Sequence, residues 1–398
     1  MGLNKQYDGY QPFEYLEAGE DYEEFDLPSE RTGEWGSPYE VPLEDDQESR
    51  ADRLSEELTI ISLHEHAFKF PTDLDRQPAY AKQGRMFTGY EFLADSNLDG
   101  VFDFQQNGGL KAHSKNGWKF SEVVYDLGMR RSDIAHQDFI FIAESVDDFE
   151  RARTEGKLAL VPSIESCMPL ENEVDRIDVL YGLGIRLMGI TYVESNALGT
   201  GEGDMPDGDG GLTGFGVEVV ERMNKIGMAV SLGHASDRTT LDVCDVSDKP
   251  VFLSHNGARS VMNSTRLNTD EGLQAVADTG GVIGINAAPH STASEDHPRH
   301  SIKSVMDHFE YIKDLVGIDH VTFGPDTLYG DHYGLHGRQV LYEVDFDLEQ
   351  VEYVEGMENP TEAWQNIVRW LVKEGYPDEE IAKVVGGNTL RALEEIWD

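Results

Sequence analysis

Six residues, each closing an apolar run, have the chemistry of metal ligands. The run LTIISLHEH, from Leu58 to His66, closes in His64 and His66. Glu165 ends KLALVPSIE, His234 ends GMAVSLGH, His255 ends PVFLSH and Asp326 ends HVTFGPD. Successive side chains of a strand face opposite sides, so His64 and His66 share one face and Glu65 turns away. Imidazole nitrogens suit a borderline divalent ion such as zinc, and a carboxylate ending an apolar strand is costly unless paired or metal-bound. Each residue alone has a plainer explanation: a surface coincidence for His64 and His66, a salt bridge for Glu165, a satisfied core position for His234 or His255, a cap for Asp326. Together they supply imidazoles and two carboxylates, enough for two divalent ions sharing a hydroxide. No lysine stands at a strand end in this set, which leaves a carbamylated-lysine bridge unsupported. Phe68 occupies the place of the second histidine in an HExxH motif, so that zinc-protease pattern is not formed.

Ligands delivered from one end of several strands imply a parallel barrel with a site at its mouth. Candidate strands are Thr59–Leu63, Gly100–Phe104, Leu158–Ile164, Ile185–Thr191, Ala229–Leu232, Val251–Leu253, Val282–Ile285 and Val321–Phe323. That is the number a (β/α)8 TIM barrel needs, and the fold class is α/β. Helical signals fall on Asp45–Glu57, Val146–Glu155, Leu212–Ile226, Thr269–Thr279, Ile302–Val316, Glu362–Glu374 and Glu379–Val385. Thr213 is placed to cap the third of these and Gly227 to stop it. Two long connections, 67–99 and 192–211, would gate or wall the pocket. Asp204–Asp209 lacks the closing glutamate of a calcium loop. Residues 1–50, rich in Glu, Asp, Pro, Gly and Tyr, read as an acidic extension, mobile or draped over the barrel of residues 51–398.

Asp and Glu number 76 against 32 Lys and Arg, a formal net charge of −44 over 398 residues. Such a field repels nucleic acid and anionic membranes, which excludes roles at either. Acidity spread along the chain fits a halophilic cytosol, where salt near 1 M shortens the Debye length to about 3 Å. Cys167 and Cys244, far apart in sequence, form no disulfide framework and fit a reducing interior. The amino terminus lacks a secretory pattern, and no apolar stretch approaches the roughly 18 residues of a membrane span. A soluble, cytoplasmic protein is the expectation.

The segments GLTGFGVEVVERMNKIGMAVSLGHAS, VFLSHNGARSV, DHVTFGPD and GGNTLRALEEIW occur in the order and spacing of one known family. The chain resembles the membrane (renal) dipeptidase family, peptidase family M19 of the amidohydrolase superfamily, over roughly Leu58 to Trp397. The resemblance implies a (β/α)8 barrel, two zinc ions, a homodimer, and hydrolysis of a dipeptide or similar amide. It places His64 on the first metal histidine, Glu165 on the bridging glutamate, His234 and His255 on the second metal's histidines, and Asp326 on the proton-handling aspartate. It places Arg259 on the arginine that holds a substrate carboxylate. Two positions depart from the family's pattern. His66 stands in place of an aspartate, which leaves the metals more electron-poor, and Tyr192 stands in place of a carbonyl-polarising histidine.

The expected mechanism lowers the pKa of a water shared by the ions toward about 7, with Asp326 taking its proton and returning it to the leaving nitrogen. Tyr192 would aid the oxyanion, Arg259 would orient the substrate's carboxylate, and Asn286 would line the rim. His290, His297, His300, His332 and His336 are expected as solvated loop residues, and Cys167 as a small buried one. The alternatives are a lactonase or N-acyl amino acid deacylase on the same site, and a non-catalytic binding barrel.

Overall fold

The structure, a computed structural model, describes residues 6–31, 36–81, 86–106, 119–336 and 345–397. Among these residues the framework is one parallel sheet of ten strands, with helices between most of them. The strands are β1 (Ile61–Lys69), β2 (Gly100–Gln106), β3 (Ile140–Ile142), β4 (Leu158–Ile164), β5 (Leu187–Gly189), β6 (Ala229–Ser231), β7 (Val251–Asn256), β8 (Val282–Ile285), β9 (Val321–Phe323) and β10 (Leu328–Tyr329). Their order is β10-β1-β2-β4-β5-β6-β7-β8-β9, and β3 pairs with the amino-terminal part of β4.

The sheet curls because one segment serves both of its ends. Phe323 pairs with Ile285 of β8, and five residues later Leu328 pairs with His66 of β1. Between them the Asp326 N–H donates to the His64 carbonyl at 3.0 Å, and the His66 N–H donates to the Thr327 carbonyl at 2.9 Å. This junction sets Asp326 directly against the two histidines of β1.

Strand alternation sorts the core. Val101, Leu160, Met188, Val230, Leu253 and Ile283 belong to a large buried cluster shared with the helices. Their chain neighbours Phe102, Val161, Leu187, Ala229, Phe252 and Val282 pack in a second cluster, as a period of two requires. Helix ends follow local chemistry. Gly214–Ile226 begins under Thr213, whose Oγ1 accepts from Gly216 N–H at 3.0 Å, and ends at Gly227 with φ +81°. Asp270–Asp278 is capped by Thr269, and Ile302–Val316 by Ser301.

Every expected strand region contains a strand, but β1 differs in extent. It runs past both histidines to Lys69, since Lys69 pairs with Tyr329 and its N–H donates to the Phe87 carbonyl at 2.7 Å. His64 and His66 therefore lie inside a strand rather than beyond its end. The helix Asp45–Glu57 crosses the expected boundary at residue 50 and buries Ala51 and Leu54. Among the described residues, no helix is long and apolar enough to cross a membrane.

Candidate metal centre

Six side chains from five places in the sheet converge. His64, His66, Glu165 and Asp326 form one group, and Glu165, His234 and His255 form a second. Within each group the ligand-type atoms lie within 4.8 Å of one another, and Glu165 belongs to both. Glu165 Oε1 is 3.4 Å from His64 Nε2, 3.7 Å from His66 Nε2 and 3.9 Å from His234 Nε2. Asp326 Oδ1 is 3.4 Å from His64 Nε2 and 3.1 Å from His66 Nε2. Asp326 holds φ +60°, a conformation few residues other than glycine adopt, at the junction that closes the sheet.

The outer nitrogens of the imidazoles are anchored, which turns the inner ones toward the centre. His66 Nδ1 lies 3.0 Å from the Phe104 carbonyl and must donate to it, leaving Nε2 as the lone-pair nitrogen of the neutral ring. Ser254 Oγ lies 3.1 Å from His64 Nδ1 and 3.0 Å from His255 Nδ1, and accepts from Ser231 Oγ at 2.8 Å. One hydroxyl has one proton, so at least one of these rings donates from Nδ1 and presents a bare Nε2. His234 Nδ1 is 3.0 Å from Glu202 Oε1, while its Nε2 is 2.9 Å from His255 Nε2. His64 Nε2, fully buried, has no hydrogen-bond partner among the described residues. Anchored imidazoles with convergent inner nitrogens, one orphaned, fit divalent cations.

The electrostatics agree. Burial alone would raise the Glu165 carboxyl, but the imidazoles of His66, His234 and His64 hold it well below the usual range. Asp326 is likewise held low against burial by His64 and His66. Burial would lower His66, yet Glu165 and Asp326 keep its proton affinity raised. Burial lowers His255 well below the ordinary histidine value, and the His64 ring adds to the effect. A cluster that keeps its carboxylates ionised in a buried site is one that accepts cations.

The remaining expected residues differ in where they lie. Arg259 was expected to hold a substrate carboxylate, but its fork already holds one, that of Asp237, at 2.6 and 2.7 Å. Its Nε donates to the carbonyls of Ser264 and Leu267. A guanidinium pairs the nearest carboxylate of matching geometry, and here that carboxylate is intramolecular. Tyr192 is half-buried with its ring 4.4 Å from that of His234. Asn286 is fully buried at the end of β8.

The expected solvated histidines divide. His290, His300 and His332 are buried, whereas His297 is 40% exposed and pairs with Asp307 at 2.7 Å. The His336 side chain lies outside the described residues. Cys167 is buried as expected, and burial pushes its thiol up.

Two residues at the site have no sequence signal. Arg266, 2% exposed, donates to the Gly233 carbonyl at 2.7 Å, lies 3.4 Å from the His255 carbonyl, and is 3.6 Å from Glu202. Glu202 orients His234 from the long Gly- and Asp-rich connection. Asp209 of the same connection accepts from Ser236 Oγ and Arg238 N–H, a turn-fixing role.

Comparison with known proteins places the chain. A model of the membrane dipeptidase family, peptidase family M19, matches residues 124–336. Dipeptidase tcpJ of Claviceps purpurea is 26% identical over 289 residues, 70% of this chain and 63% of that protein. Dipeptidase aclJ of Aspergillus oryzae is 27% identical over 69% of this chain and 62% of its own length. The chain thus matches less than two thirds of either relative. An amidohydrolase from Pseudomonas aeruginosa superposes with TM-score 0.70 at 23% identity, covering 87% of this chain and 99% of that one. The probable dipeptidase PvdM of the same organism gives TM-score 0.70 at 20% identity, covering 89% and 99%. At such identities the two structures speak for the fold alone.

Proposed function

The chain belongs to the membrane dipeptidase family, peptidase family M19, and on that footing we propose a metal-dependent hydrolase that cleaves a dipeptide or similar small amide. We read the curled sheet as the family's eight-unit barrel, with two divalent cations, zinc fitting the donors, between its strand ends. The observation that carries this is the sharing of Glu165 by two ligand groups that together hold four imidazoles and two carboxylates.

When bound, such cations supply Lewis acidity and lower the pKa of a shared water. The chain's residues do the rest. Asp326 Oδ1 faces the inner nitrogens of His64 and His66, where it can take a proton from the attacking water and return it to the leaving nitrogen. Glu165 spans the two groups and fixes their separation. Glu202 fixes the ring of His234, and Ser254 braces both His64 and His255. Because Asp237 occupies Arg259, we assign the substrate's carboxylate to Arg266, the buried cation hydrogen-bonded beside His234 and His255. Arg259 then braces the 259–268 segment that carries Arg266.

Tyr192 supports a second reading. A phenol against His234 donates one hydrogen bond to a developing oxyanion and brings no positive charge at neutral pH, which suits a lactone or N-acyl amino acid as well as a peptide.

The test is hydrolysis of dipeptides, N-acyl amino acids and lactones by the chelated and zinc-loaded chain, with bound metal counted. Zinc-dependent cleavage with about two ions per chain is expected, and Asp326→Asn should lower kcat by about 10²-fold or more. Full activity in Asp326→Asn contradicts the assignment.

A further inference from the structure

The strand-end residues describe where a bond would be cut, and the loop after β8 bears on which substrate is held there. This loop leaves the sheet between two of the ligands. Asn286 N–H donates to the carbonyl of Asn256, the residue after His255, and Ala287 N–H donates to the carbonyl of Pro325, the residue before Asp326, each at 2.9 Å.

Two side chains of the loop are buried with hydrogen-bonding capacity unused. Asn286 is fully buried; its Oδ1 accepts from Ala288 N–H at 2.7 Å, but its Nδ2 has no partner among the described residues. His290 is 8% exposed, and neither of its ring nitrogens has a partner among the described residues. Buried polar groups are almost always satisfied, so two on one loop call for an explanation.

Slackness is not that explanation, because the loop is braced. His290 holds φ +58°, an uncommon conformation for a side-chain-bearing residue. Its N–H donates to His300 Nδ1 at 2.7 Å; His300 Nε2 lies 3.1 Å from Thr292 Oγ1, whose hydroxyl donates to the Asn286 carbonyl at 2.7 Å. This relay runs from His290 back to Asn286 and commits both nitrogens of His300. A metal is not the missing partner. His290 and His300 have ring centroids 6.1 Å apart, and His300 has no nitrogen to offer.

We infer that Asn286 and His290 form a substrate subsite for an uncharged hydrogen-bonding group, so that dipeptides carrying an amide or hydroxyl side chain are preferred. The inference rests on the hydrolase reading above. A neutral imidazole offers one donor and one acceptor, and the Asn286 amide adds donors, a set complementary to a carboxamide or hydroxyl. Burial lowers the proton affinity of His290, which keeps the subsite uncharged. A site built to hydrogen-bond a substrate group discriminates strongly against analogues that lack it.

The test uses the zinc-loaded full chain and dipeptides pairing alanine with alanine, leucine, serine, threonine, asparagine or glutamine in either position. Two variants remove the imidazole while tolerating the positive φ: His290→Asn and His290→Gly. Wild type should favour the amide and hydroxyl dipeptides. Both variants should lower kcat/KM for those substrates by about tenfold, chiefly through KM, and leave the apolar dipeptides within about twofold. Zinc content and melting temperature should not change. An equal loss on both substrate classes, no loss, or a wild-type preference for apolar dipeptides overturns the subsite. If wild type cleaves no dipeptide in the panel, the dipeptidase reading itself falls and takes the subsite with it.

Discussion

Glu65 lies between His64 and His66 in sequence and on the other face of β1, and it shows how single residues set the site. Its carboxylate accepts from Thr327 N–H and Oγ1–H at 2.9 and 2.7 Å, from Trp364 Nε1 at 3.1 Å and from Ser62 Oγ at 2.9 Å. Thr327 follows Asp326, so Glu65 ties the histidine strand to the segment that carries Asp326. Glu358 is the contrasting case, a buried carboxylate with less support. Val354 N–H donates to its Oε2 at 2.8 Å, but Oε1 has no hydrogen-bond partner among the described residues. Burial, then Glu362, holds its carboxyl well above the ordinary 4.5. With the native value raised, the folded state binds the proton more tightly than the unfolded one, so stability falls as pH climbs from the ordinary carboxylate range through the native value. Glu358→Gln removes that penalty. Thermal or urea unfolding should find the variant more stable at pH 8 by on the order of 1 kcal/mol. The difference should close below about pH 4, where both carboxyls are protonated. A variant less stable than wild type at pH 8 would refute this account of Glu358.

At the scale of elements, the site leans on the amino-terminal segment. Phe13 is fully buried and packs edge-on against Phe87 with ring centroids 5.4 Å apart. Its N–H and the Tyr10 hydroxyl both donate to Asp133 Oδ1 at 2.7 Å. The cluster around Phe13 includes Phe68 of β1, two residues past His66, and Phe70 just beyond the strand's end. Phe13→Ala should therefore destabilise the fold by about 3 kcal/mol and also weaken zinc binding. Unfolding and metal titration of the same variant test the coupling; lost stability with unaltered zinc affinity would separate the segment from the site. Such long-range packing is invisible in a sequence of acidic, Pro- and Gly-rich residues. Local signals were readable: the Thr213 cap, the Gly227 stop and the alternating strands all depend on neighbours a few residues away. The six convergent positions were readable for the same reason, each closing an apolar run. β3 and β10 were not, because three and two residues carry no usable period. The Arg259–Asp237 pair was not readable either, because its partner lies 22 positions away in sequence. His290 and His300 read as solvated because loop polarity says nothing of burial.

The whole molecule is dominated by its charge. Even if every Lys and Arg were paired, a net charge of −44 would remain. Ion pairs that exist are local, such as Arg369 with Glu48 at 2.5 Å and Arg50 with Asp378 at 2.5 Å, and cannot neutralise a field of that size. A field of this sign draws divalent cations toward a site whose carboxylates stay ionised, and it opposes compaction through self-repulsion. Salt should weaken both effects, but unequally. Ligation within a buried site is screened little, whereas exposed charges are screened over a Debye length that shrinks from about 10 Å at 0.1 M to about 3 Å at 1 M. The melting temperature in sodium chloride should thus rise by about 10 °C between 0.1 and 2 M, the scale of a few kcal/mol in a chain this long. Zinc retained on dialysis should stay constant over the same range. Sucrose, which strengthens burial by exclusion without screening charge, should give a smaller rise. A melting temperature indifferent to sodium chloride would mean that the acidic surface is tolerated without salt, and the halophilic reading of the composition would fail.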